Sequence, residues 1–162
     1  MKKLQSILFR STLAIVTTLA VLAGSVRAAY AGNGAITWKN LTNTYEAVGT
    51  CSDPDGLYQV TTVSNGVVNL VENENGYKFN WHDAGTFFLE PIDANSSVTY
   101  SGRYSEQFQD HLNKGSSMIK HTFTNVGRGS DGTHEVFHIT FRLVLTPDGL
   151  VREVDNFQWI CN

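Results

Sequence analysis

The chain has 162 residues, of which 41% are hydrophobic, 11% aromatic and 17% charged, with a net charge of −3. That length builds one domain with its own core but hardly two. Past residue 31 there remain eight basic and fifteen acidic side chains, a net charge of −7, which disfavours nucleic acid and anionic membrane as partners.

Lys2, Lys3 and Arg10 precede an apolar run at 13–23, and small residues follow at Val26-Arg27-Ala28 and Ala29-Tyr30-Ala31. This order predicts a secretory signal peptide over 1–31, cleaved after Ala28 or Ala31, and a single β domain over 32–162. The run is shorter than the roughly 20 residues a span needs. Ser25 follows Leu22-Ala23-Gly24 where a lipoprotein would carry cysteine. The expected location is extracellular, or periplasmic in a host with an outer membrane, with no membrane attachment of the mature form. For an exported chain, Cys51 and Cys161 predict one disulfide. Closing 110 residue steps, it would contribute on the order of 4–5 kcal/mol in the chain-entropy model.

Ile36-Thr37-Trp38 reads as a first short strand and residues 52–56 as a turn. Residues 57–63 and 67–71 are predicted to pair as a hairpin through Ser64-Asn65-Gly66. Tyr77, Phe79 and Trp81 alternate with polar residues, and His82-Asp83-Ala84-Gly85 reads as a turn into 86–90. Val98, Tyr100, Gly102 and Tyr104 form another alternating strand. Tyr104, Phe108 and Leu112 then fall four apart, so one short helix or structured loop is expected at 106–114. After a β-rich stretch at 118–126 and a glycine-rich turn at 127–132, Phe137, Ile139, Phe141, Leu143 and Leu145 occupy every second position. Thr146-Pro147-Asp148-Gly149 reverses the chain. One register of the closing hairpin places Arg142 opposite Glu153; a bulged alternative places Phe137 opposite Trp159 and Ile139 opposite Phe157. The sum is an all-β domain of eight to nine short strands with hairpin connections, an antiparallel barrel or sandwich. Asn40-Leu41-Thr42 and Asn95-Ser96-Ser97 match the N-glycosylation triplet.

His134-Glu135-Val136-Phe137-His138 matches the H-E-x-x-H pattern of zinc peptidases. That chemistry needs a helix, on which both histidines reach one zinc. On a strand they stand about 13 Å apart and Glu135 turns to the other face, so the alternation argues against a metal and no cofactor is assigned. The polar face of His134, His138, Thr140 and Arg142 reads first as solvent-facing. In a closed barrel it would instead line a cavity with Tyr100, Tyr104, Glu106 or His121, a small-ligand pocket with acid and base groups. His82-Asp83 and Asp110-His111 read as turn residues.

The residues Cys51, Tyr100-Ser101-Gly102, 134–138, Asp148-Gly149, Phe157 and Cys161 resemble a group of small secreted bacterial proteins, mostly actinobacterial, with two cysteines and repeated β-hairpins. That group has no assigned activity, so the resemblance implies a secreted β domain and adds no catalytic residue. The expected function is a ligand-binding or interaction module with a small-molecule or extracellular partner. The alternatives are a secreted enzyme, as a zinc hydrolase or a metal-free acid/base catalyst, and a structural envelope or matrix protein.

Overall fold

A computed structural model describes residues 34–92 and 97–162. The segment expected to be a signal peptide and Asn95 lie outside the described residues. Seven strands follow one another: β1 Gly34–Val48, β2 Leu57–Asn73, β3 Gly76–Pro91, β4 Tyr100–Asn113, β5 Ser116–Gly129, β6 His134–Thr146 and β7 Gly149–Cys161. Each pairs antiparallel with the next in one open sheet of order β1-β2-β3-β4-β5-β6-β7, so β1 and β7 are its edges. The all-β antiparallel class is as expected. The pairing describes neither a closed barrel nor a second sheet among the described residues.

Three expectations are corrected. There are seven long strands instead of eight or nine short ones, residues 106–113 continue β4, and no helix occurs among the described residues. The two sets of turn-like residues at 64–66 and 82–85 lie inside β2 and β3 and face each other, with Ser64 opposite Gly85 and Gly66 opposite Asp83. Glycine gives room there. A Cβ on Gly66 would fall 2.1 Å from Cζ2 of Trp38, so its absence lets the indole lie against the sheet. The chain reverses instead at two-residue loops, where Asn73 pairs with Gly76, Asn113 with Ser116 and Thr146 with Gly149. At 106–114, spacing by four and spacing by two coincide at Tyr104, Phe108 and Leu112, and cross-strand pairing selects the strand.

In the closing hairpin Phe137 stands opposite Trp159 and Ile139 opposite Phe157, with an irregularity between Val144 and Leu145. Arg142 therefore faces Val154, while Glu153 faces Leu143. The bulge sets which face each later β7 residue occupies.

The sheet has an inner and an outer face. Tyr58, Val60, Thr62 and Ser64 of β2 are buried on the inner one, and their neighbours Gln59, Val63 and Asn65 are exposed. Tyr58, Val60, Phe87 and Tyr100 form the core, flanked by Ala47, Leu89, Val98 and Tyr104. Residues 49–56 cap this end. Thr50 is fully buried, and its hydroxyl donates to Tyr58 at 3.1 Å. The Ser52 amide donates to the Tyr100 hydroxyl at 2.9 Å, which in turn donates to Ser52 Oγ at 2.6 Å. The Cys51–Cys161 disulfide, Cα to Cα 5.6 Å, joins the cap to the end of β7. It ties together the two edges of the sheet at one end.

Candidate functional site

The inner face carries polar side chains in its middle rows. Asp83 on β3 stands opposite Glu106 on β4, Glu106 opposite Phe123 on β5, and Phe108 opposite His121. Asp83 is 6% exposed and His121 8%, so each needs a partner. Asp83 accepts hydrogen bonds from the Tyr104 hydroxyl at 2.7 Å and from the Trp38 indole N–H at 3.2 Å; the indole also lies 3.3 Å from Ser64 Oγ. Glu106 Oε1 and His121 Nε2 are 2.8 Å apart, within hydrogen-bond distance.

Two phenols border these carboxylates. Burial raises the pKa of Tyr104, with Asp83 adding to the rise and Ser64 and Thr62 opposing it. Tyr45 on β1 is pushed up to about 12, first by burial and then by the negative charges of Glu106 and Asp83. The residue as a whole keeps 38% exposure, so the burial belongs to its hydroxyl end. Both phenols are therefore proton-bearing donors at neutral pH. Buried and without a protein partner are Asn125 Oδ1 and Trp81 Nε1, both on inner-face positions adjoining the cluster.

Aromatic rings extend from this cluster toward the β7 edge. Tyr104 packs on Phe123 with centroids 6.2 Å apart, Phe123 on Phe137 at 5.9 Å, and Phe137 on Phe157 at 5.3 Å. Phe157 remains 48% exposed, so the series ends open to solvent. Together these residues make a strip of the inner face, the trough, with an acid and base centre and an aromatic wall.

Of the residues expected to share a pocket, Tyr104, Glu106 and His121 come together. Tyr100 lies in the capped core. His134, His138 and Arg142 occupy the outer face: His134 pairs with Arg128, His138 Nδ1 lies 2.7 Å from Thr124 Oγ1, and Arg142 Nη2 donates to Met118 Sδ at 3.7 Å. The H-E-x-x-H segment is strand, and Glu135 points to the inner face, where its carboxylate accepts the Cys51 amide at 3.0 Å. Burial raises its pKa, with the Cys51 amide and the nearby Trp159 indole opposing the rise. That indole N–H is close enough to act on the charge but falls outside hydrogen-bond geometry. No group of three His, Cys, Asp or Glu side chains is placed to hold a metal among the described residues.

Sequence reasoning missed Asp83, Tyr45, Trp38 and Ser64. A signal for Asp83 exists: the alternation Tyr77, Phe79, Trp81 continues in phase to Phe87 and Leu89, with Asp83 and Gly85 on the same face. Two shallow surface depressions lie elsewhere, one across Asn69, Asn80 and Gln109 on the outer face and one near the hairpin ends at His111 and Lys114. Comparison of the chain with protein-family models, with curated proteins and with solved structures finds no match.

Proposed function

We propose that this domain is an exported binding module that takes a small amphipathic molecule in the trough. The carrying observation is the aromatic series Tyr104, Phe123, Phe137 and Phe157, which runs from a buried acid and base cluster to an edge where Phe157 is exposed. Apolar surface of that kind beside a few fixed polar groups suits a ligand with an aromatic or aliphatic body. Its polar end would meet Glu106, His121 and the Tyr45 hydroxyl. The unpartnered Asn125 carbonyl and Trp81 N–H add an acceptor and a donor. An anilinonaphthalene dye, read by its fluorescence and by quenching of tryptophan, tests the trough. Saturable one-site binding, weakened about tenfold by Phe137→Ala, is expected. Absence of saturation, or an unchanged affinity in that variant, overturns the reading.

A second reading, a metal-free acid/base enzyme, draws on the 2.8 Å contact of Glu106 with His121 beside a protonated phenol. A carboxylate and imidazole so placed can relay a proton at a bound carbon acid or ester. Once a ligand is known, Glu106→Gln separates the two: a catalyst loses turnover with binding retained, whereas a pure binder has no turnover to lose.

A further inference from the structure

The outer face of β3 to β6 differs in charge from the inner one. Register places Lys78, Arg103, Lys120, Arg128 and Arg142 outward, with Glu90 near the end of β3 as the outward carboxylate, and Asp83, Glu106, Asp110 and Glu135 inward. Across β4 to β6 no acidic residue faces outward. Three cross-strand pairs join two basic residues each: Lys78 with His111, and Lys120 with Arg142 and Arg128 with His134. Like charges directly opposite on a sheet are destabilising. Their effect is visible at His111, whose pKa is lowered by burial and then by Lys78, with Asp110 opposing. None of these bases hydrogen-bonds a carboxylate among the described residues, where the one carboxylate–imidazole contact, Glu106 with His121, is inner-facing. Arg142 keeps a buried Nε without a partner and rests its Nη2 on a thioether, a poor substitute for an anion.

Between the charged pairs the outer face offers neutral hydrogen-bonding groups. Gln107, Thr122 and Thr140 lie in one cross-strand row, and Ser105, Thr124 and His138 in the next. Lys120 and Arg128 are eight residues apart on β5, about 27 Å at roughly 3.4 Å per residue. A compact anion reaches only one end of such a strip. An extended chain bearing regularly spaced carboxylates, with hydroxyls between them, satisfies both the charges and the polar rows.

We propose that the outer face of β3 to β6 binds an acidic polysaccharide, with Lys120 and Arg142 at one end of the site and Arg128 and Arg103 at the other. A disulfide-closed domain of the kind that forms outside the reducing cytoplasm meets such polymers more readily than nucleic acid. The match also rests on hydroxyl-bearing sugars facing threonine and glutamine, with outward Phe88 in the row of Ser101 and Arg128 able to lie against a sugar ring.

Titration of the purified protein with polygalacturonate, neutral dextran and single-stranded DNA at about 50 mM and about 500 mM salt tests this. Polygalacturonate is expected to bind at the lower salt and release at the higher, with dextran silent and DNA at least about tenfold weaker. The double variant Lys120→Gln/Arg142→Gln should lose about tenfold in affinity, and Arg128→Gln alone a few-fold. Removing like-charge contacts does not threaten the fold, and circular dichroism verifies it. Polygalacturonate affinity unchanged in both variants, no binding at low salt, or DNA binding as tight as polyuronate each overturns the proposal. Phe137→Ala should leave polyuronate binding intact, so failure here and failure of the trough reading are separate results.

Discussion

The two ends of the inner face are built from similar residues and do different things. At the capped end Tyr58 and Tyr100 are at most 2% exposed, and the hydroxyls of Tyr100, Thr50 and Ser52 bond within the cap or to the wall. In the trough Phe123, Phe137 and Phe157 contact one another edge to face and remain partly accessible. Both are aromatic surfaces on the same sheet, and residues 49–56 make the difference. A segment of eight residues folded over the sheet converts a wall into a core, and where it stops the wall is left for something else to cover.

Removing the tie at the capped end should have the largest effect. Cys51→Ser/Cys161→Ser releases the cap from β7 and frees 110 residues of chain, for a loss of about 2–5 kcal/mol seen as a lowered urea midpoint. If the midpoint barely moves, the cap is held by its hydrogen bonds alone. Tyr100→Phe comes next. It strands the Ser52 amide and costs about 1–3 kcal/mol, again by urea unfolding, while trough dye binding stays within about twofold. The trough should behave in the opposite way: Phe123→Ala removes a partly buried ring, so its stability cost is about 1–2 kcal/mol, less than a core phenylalanine. Dye affinity in that variant should fall more than in Tyr100→Phe. A reversed ranking would erase the distinction between core and wall.

How far the sequence showed this depends on which period each segment carries. The strand from Phe137 to Leu145 was legible because its apolar residues hold strict alternation, and the disulfide was legible because two cysteines behind an expected signal peptide have one pairing. Strand length was not. Ser64-Asn65-Gly66 and His82-Asp83-Ala84-Gly85 have turn composition, yet each is paired on both sides by neighbouring strands, and pairing is a long-range property. The site followed that error. With Asp83 assigned to a turn, it had no face, and its partners Trp38 and Tyr104 had no common target. The division of His121 from His138 was legible in principle, since Phe123 and His121 share one parity along β5 while Phe137 and His138 have opposite parity along β6. It required the β5–β6 register, which adjacent sequence does not state.

The smallest effect concerns Glu135, the glutamate of the H-E-x-x-H segment, which sits at the capped end although its motif matches that of zinc peptidases. It is 9% exposed, and burial raises its pKa against the opposing Cys51 amide and Trp159. In the interval between the ordinary glutamate value, about 4.3, and the raised native one, the folded protein holds the proton more tightly than the unfolded chain. Stability then falls as pH rises through that interval. Glu135→Gln keeps an oxygen for the Cys51 amide and removes the titration, so its urea midpoint should lose this downward contribution while the wild type retains it. Parallel profiles for the two proteins across about pH 4 to 7 would place the carboxylate in contact with solvent. The capped end would then be no drier than the trough.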